Sequence, residues 1–188
     1  DLGYNRISLL GLSMGGMIAQ EIVRMDSDLV NYLILAGTGP RGGFEMDKVT
    51  GKTFKYMFKA ALERIDPKRY IFYNHDEQGK VEALKVLDRM GARTEQFKDK
   101  DMKISGFLTQ LKAIKAWGQA PQDDMKYITQ PTLIVNGDKD MQVPTENSYA
   151  MHEKVEGSKL LIYPNAGHGS IFQYADEFSK ELLRFLAA

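Results

Sequence analysis

Three stretches carry residues whose types could do chemistry together. The first is Gly11-Leu12-Ser13-Met14-Gly15-Gly16, which follows the apolar run Ile7-Ser8-Leu9-Leu10 and precedes a helix-period run from Met17 to Val23. Strand, Gly-x-Ser-x-Gly, helix is the context in which a serine rides a sharp, strained turn with its hydroxyl lifted above a sheet edge. Residues two before and two after such a serine need to be nearly free of side chain. A serine hydroxyl stays protonated at neutral pH, so it needs a base. The natural base is His168, flanked by glycines in Asn165-Ala166-Gly167-His168-Gly169. A free imidazole titrates near about 6.5 and can take a proton and return it. An acid behind the ring would fix its tautomer. Asp138 and Asp140 both stand in the stretch Gly137–Pro144. Asp140 is favoured, because the extra residues carry the chain out of its strand and round toward the histidine; Asp138 then anchors the turn as an Asx-type residue. His75 and His152 read as surface histidines.

Elements must exist to position these groups. Residues 6–12 read as a buried parallel-type strand, since their apolar residues are nearly continuous. Residues 14–25 read as a helix with Met14, Ile18, Ile22 and Met25 on one stripe. Residues 30–37 form a second strand, stopped by Gly37-Thr38-Gly39-Pro40. Strands follow at 131–136 and 159–163, and helices at 145–155, capped by Thr145, and at about 171–186, with Ala175, Phe178, Leu182 and Phe185 inward. Strands alternating with helices imply a parallel α/β sheet covered on both faces. In such sheets functional groups gather at the carboxyl ends of strands. Ser13, Asp140 and His168 all follow such ends, in the order serine, acid, histidine.

Residues 41–127 change character, being richer in Lys, Asp, Glu, Met and Phe. The pattern predicts helices over about 47–64, 79–90 and 103–117. Their apolar faces are Phe54, Met57, Phe58, Ala61 and Leu62, then Val81, Leu84, Leu87 and Met90, then Ile104, Phe107, Leu108, Leu111, Ile114 and Trp117. Trp117-Gly118 reads as structural, closing the last of them. A helical insert of this length between two strands predicts a cap subdomain at 41–127 over a core made of 1–40 and 128–188.

The 188 residues carry 25 basic and 25 acidic side chains and no cysteine. Balanced charge argues against a nucleic-acid binder. No apolar run is long enough to cross a bilayer, so no membrane partner is expected, and the cytoplasm is the expected location. Without cysteine there is no disulfide, thiolate metal site or cysteine nucleophile. Neither a phosphate-loop nor a dinucleotide fingerprint is present, and three scattered histidines offer no metal set. No cofactor is expected.

The three stretches, with Gln130-Pro131-Thr132-Leu133-Ile134-Val135-Asn136-Gly137 and Tyr163-Pro164, resemble the α/β-hydrolase superfamily over essentially the whole chain. The similarity is greatest to capped bacterial serine hydrolases, grouped with esterases, cofactor-free haloperoxidases and proline-iminopeptidase-like enzymes. The resemblance implies Ser13 as nucleophile, Asp140 as acid and His168 as base, acting on a small-molecule acyl substrate. The backbone N–H of Met14 would be one oxyanion donor, at the positive end of its helix. The family's sheet begins with strands before the serine turn, and one of their loops supplies the second donor. The expectation is therefore a fold lacking its N-terminal strands, with about four strands left, and a raw edge on the serine strand. That edge would be covered by a preceding segment or through self-association. Two alternatives stand beside the esterase reading. An aminopeptidase would need a cap carboxylate for the substrate's amino terminus, and Glu63, Asp66, Asp76, Glu77 and Glu82 are candidates. A catalytically incomplete fragment or non-catalytic binding protein would use the same pocket.

Overall fold

A computed structural model describes residues 3–92, 96 and 102–187; Asp1, Leu2 and part of the 41–127 insert lie outside the described residues. Its centre is a four-stranded parallel sheet in the order β1 (Ile7–Leu12), β2 (Val30–Ala36), β3 (Thr132–Gly137), β4 (Lys159–Tyr163). The register aligns the carboxyl ends: Leu12 lies opposite Ala36, Ala36 opposite Val135, and Gly137 opposite Tyr163. The alternation of β2 divides the core. Leu33 and Leu35 face α1 (Met14–Met25) and α6 (Glu146–Lys154), meeting Ala19, Val23, Met151 and Val155. Ile34 and Ala36 face α8 (Ala175–Leu186), meeting Phe178 and Phe185. Burial of both sheet faces is what the near-continuous apolar strands require.

Several expectations need correction. Strand β1 is not buried: Ser8 and Leu10 are exposed, because among the described residues only β2 pairs with it. The edge position itself matches the expected raw edge. Helix α1 buries Gly16, Met17, Ala19, Gln20 and Val23, whereas Ile18 is 50% exposed and Met25 84% exposed. Small residues let this helix approach the sheet closely, and a stripe drawn through the largest apolar residues misses that face. The last helix is two pieces, α7 (Ser170–Gln173) and α8, divided at Tyr174. Thr145 does not cap α6 with its side chain; its hydroxyl donates to the Gly137 carbonyl at 2.6 Å instead. Thr145→Val is expected to cost about 1 kcal/mol, read as a melting temperature lower by about 2–4 °C.

Between β2 and β3 the chain forms α2 (Val49–Glu63), the short α3 (Lys68–Ile71), α4 (Glu77–Gly91) and α5 (Ile104–Gln119). The short α3 was not foreseen. The apolar faces drawn from periodicity are only partly inward. In α2 the buried positions are Val49, Thr53, Tyr56 and Ala60, while Phe58 is 67% exposed. In α4 Gly79 and Ala83 are buried and Val81 and Leu84 exposed; in α5 Leu111 and Ile114 are buried and Ile104 and Leu108 exposed. Helix α4 packs through small residues, α2 through Val49, Ala60 and the hydroxyl-bearing Thr53 and Tyr56, and α5 through the expected Leu111 and Ile114. Met46, Val49, Leu111 and Ile114 join Met17 of α1 and Val143 in one cluster, which ties the insert to the sheet. Gly118 does read as structural: a Cβ there would overlap the backbone of Met46 and Asp47.

Candidate functional site

Ser13 sits between β1 and α1 with φ 56° and ψ −121°, a region that a non-glycine residue occupies only when its surroundings impose it. Its own N–H donates to the Ala36 carbonyl at 2.9 Å, and its carbonyl accepts from Gly16 at 2.9 Å. Gly11 is obligatory, since a Cβ there would overlap the Gly15 carbonyl; the Gly15 position itself has open space around it. The second crowded glycine is Gly16, where a Cβ would lie 2.5 Å from Thr38 Cγ2. The pattern's second glycine is thus needed one residue later than expected. Met14 opens α1, so its N–H is among the first-turn amides that have no partner within the helix.

The histidine and the acid meet. His168 Nδ1 lies 2.8 Å from Asp140 Oδ2, with both side chains almost wholly buried. Asp140 Oδ1 accepts from the backbone N–H of Gln142 at 2.8 Å and of Val143 at 2.9 Å. One carboxylate oxygen is thereby held by the loop and the other by the ring. With the proton on Nδ1, Nε2 is left as the acceptor. The turn-anchoring bonds expected of Asp138 are made by Asp140; Asp138 is exposed. His168 packs against Gly37, whose φ is +50°: a Cβ there would stand 3.2 Å from His168 Nδ1. Gly37 directly follows Ala36, the residue whose carbonyl holds the Ser13 amide. Phe72 covers the ring, with centroids 5.4 Å apart, and its carbonyl accepts from Gly169 N–H at 2.6 Å.

Leu12 and Phe72 also line a largely apolar cavity of about 570 Å³ with Tyr73, Val86, Leu87, Met90 and Phe172. Burial pushes the Tyr73 phenol up to about 12, so it stays neutral. A larger groove of about 810 Å³, of mixed lining, runs over Asp76, Asp138, Asp140, His75 and Tyr149. Tyr56 of α2 is near that carboxylate: burial, and then the Asp140 charge, raise its phenol pKa. His75 is not a surface residue. It is half-buried, edge-on to Tyr56 and Tyr70, with Nε2 3.0 Å from the Tyr70 carbonyl. His152 is exposed and meets Ser158. Of the five insert carboxylates, Glu63 binds Tyr70, Asp66 pairs with Lys68, Asp76 caps α4, Glu77 is paired loosely with Lys80, and Glu82 meets Gln78. None lines the apolar cavity. Among the described residues no group of three or more His, Asp or Glu could hold a metal ion, and no helix is long and apolar enough to cross a membrane. Sequence reasoning missed Phe72 and Gly37. A glycine directly after a buried strand was a signal for Gly37; nothing marked Phe72.

A family model described as alpha/beta hydrolase fold matches residues 1–174. A 2-hydroxy-6-oxononadienedioate/2-hydroxy-6-oxononatrienedioate hydrolase of Klebsiella pneumoniae is 27% identical, over 100% of this chain and 64% of its own length. Among solved structures, an alpha/beta hydrolase fold protein from Chitinophaga pinensis superposes with a TM-score of 0.89 at 28% identity, covering 98% of this chain and 66% of that one. An esterase from Exiguobacterium antarcticum gives 0.66 at 25% identity, covering 100% of this chain and 69% of that one. The chain spans 60 to 65% of the length of the first curated relatives it matches.

Proposed function

Because the chain belongs to the alpha/beta hydrolase fold family, we propose that it carries the catalytic residues of a serine hydrolase for esters or related acyl compounds, with Ser13, His168 and Asp140 as its triad. The observation that carries this reading is the buried 2.8 Å pair of His168 and Asp140, lying against Gly37 and so one residue beyond the carbonyl that holds the Ser13 amide. A buried carboxylate whose second oxygen is fixed by two backbone amides orients the imidazole and stabilises it when it charges.

In this mechanism Ser13 Oγ attacks the acyl carbon as His168 Nε2 takes its proton. The carbonyl π electrons move onto the oxygen, which accepts a hydrogen bond from Met14 N–H at the start of α1. Collapse expels the alcohol, which takes the proton from His168. Water then repeats the sequence on the acyl-enzyme, with His168 again as base, releasing the acid and free Ser13. The strained φ of Ser13 supports a nucleophilic role, since such strain concentrates at functional positions. The apolar cavity reached from Leu12 and Phe72 would take the acyl chain, and residues 41–127 would act as the cap over it. The named hydrolase and esterase relatives support the reaction class.

A fluorophosphonate probe is expected to label this chain at Ser13, read as one modified peptide by mass spectrometry, and Ser13→Ala is expected to abolish the label. A chain that stays unmodified beside a reacting control hydrolase overturns the reading. None of the five insert carboxylates lines the apolar cavity, so an ester is expected to turn over in preference to an aminoacyl anilide.

A further inference from the structure

We propose that Gln173 is a positioning residue for His168, acting as a clamp that ties the histidine loop to the α3–α4 connector through Asn74. The inference rests on the assignment of His168 as the base, and goes beyond it by naming what holds that base in place. The side chain of Gln173, at the end of α7, does two things at once. Its Oε1 accepts from the N–H of Gly167, the residue before His168, at 2.7 Å. Its Nε2 donates to Asn74 Oδ1 at 3.2 Å and also to Glu82 of α4.

Asn74 is well placed to be the fixed end. It is buried, and its Nδ2 donates to Asp76 Oδ2 at 2.8 Å and to Asn165 Oδ1 at 3.2 Å. Its carbonyl accepts from the buried Arg69 guanidinium at 2.8 Å. The clamp therefore reaches the loop at Asn165 and Gly167, while Phe72 holds it at Gly169. The contact is tight at Gly167, where a Cβ would lie 2.8 Å from Asn74 N and 2.9 Å from the Phe72 carbonyl oxygen. With the loop backbone fixed on both sides of His168, the ring's remaining freedom is set by Asp140 and Phe72. Side chains held by an outer layer of hydrogen bonds keep catalytic geometry within the sub-ångström tolerance that proton transfer needs.

The test compares the full chain with Gln173→Leu, which removes both functions, and with the double variant Gln173→Glu/Glu82→Gln, which keeps the acceptor for Gly167 N–H and makes position 82 the donor, so that a single charge remains at that contact. Two readouts are taken: the second-order rate of fluorophosphonate labelling at Ser13, and the strongly downfield proton resonance of His168 Nδ1–H bonded to Asp140. Gln173→Leu is expected to slow labelling about 10- to 100-fold and to broaden or shift the resonance, with Gln173→Glu/Glu82→Gln recovering most of both. A Gln173→Leu chain that melts cooperatively, labels at the unchanged rate and keeps the resonance overturns the proposal. So does a Gln173→Glu/Glu82→Gln chain that is as slow as Gln173→Leu. If Gln173→Leu does not fold, Asn74→Ser loosens the same clamp from its other end; slower labelling with a disturbed resonance is expected, and unchanged values overturn the proposal. If the unmodified chain takes no label, the hydrolase reading fails, and the resonance comparison alone decides the clamp.

Discussion

Replacing His168 with alanine is expected to lower kcat/KM for an ester on the order of 10⁴-fold or more, with little change in KM. The size follows from what the ring does. Without it, Ser13 must attack as a neutral hydroxyl, and the leaving alcohol departs without a proton. A factor of 10⁴ corresponds to about 5.5 kcal/mol of barrier, more than loss of a single binding contact usually removes. KM should hold because, in the proposed mechanism, the ring handles a proton that moves only in the transition state, while the apolar cavity would provide the binding. Asp140→Asn should approach the same loss by a different route. An amide at position 140 can donate to Nδ1 and so select the tautomer that protonates Nε2. The residues act as a unit, so Ser13→Ala combined with His168→Ala should be no slower than either alone. Steady-state kinetics on the enzyme, with a melting curve to confirm folding, decides the matter. A His168→Ala enzyme retaining a tenth of its activity would refute the proposed role.

The parts of the fold that were legible in the sequence are those set by local backbone requirements. Continuous apolar residues at 30–37 and 131–136 could only be parallel strands covered on both sides, and β2 and β3 are such strands. That Asp140 rather than Asp138 would come round to His168 was legible for a similar reason. A chain leaving β3 at Gly137 needs a few residues before it can turn toward the next strand end, and Asp140 is the one that meets His168. The faces of α8 and α5 were legible in part, through Phe178 and Phe185 and through Leu111 and Ile114, whereas those of α1 and α4 were not. Periodicity picks out the largest apolar residues, yet α1 approaches the sheet through Gly16 and Ala19, and α4 is buried through Gly79 and Ala83. Close packing selects for small volume at the contact, and no hydrophobicity pattern encodes it. The surroundings of His75 were hidden for another reason. Tyr56 and Tyr70 come to it from separate helices, a meeting that only tertiary packing decides.

Gly137→Ala is expected to lower the stability of the chain by about 3 kcal/mol and its melting temperature by about 6–12 °C, and to slow Ser13 labelling about 100-fold. Gly137 ends β3 at the place where the acid loop and the histidine loop touch. A Cβ there would overlap the Ala166 carbonyl and stand 2.6 Å from the Gly167 carbonyl oxygen. Both obstacles are backbone, so no side-chain rotation relieves them. Around this point the Lys139 N–H donates to the Ala166 carbonyl at 2.9 Å, and the Asp138 N–H to the Tyr163 carbonyl at 3.0 Å. Moving the loops apart strains these bonds and the 2.8 Å bond between Asp140 and His168 together, which is why stability and labelling should fall in step. Gly15→Ala is the matched control. Open space surrounds Gly15 in the first turn of α1, and alanine favours a helix by up to about 1 kcal/mol over glycine. The two substitutions add the same methyl group at opposite ends of the proposed triad. Thermal melts that move in the same direction for both would show that backbone contact at Gly137 is not what holds the acid and histidine loops together.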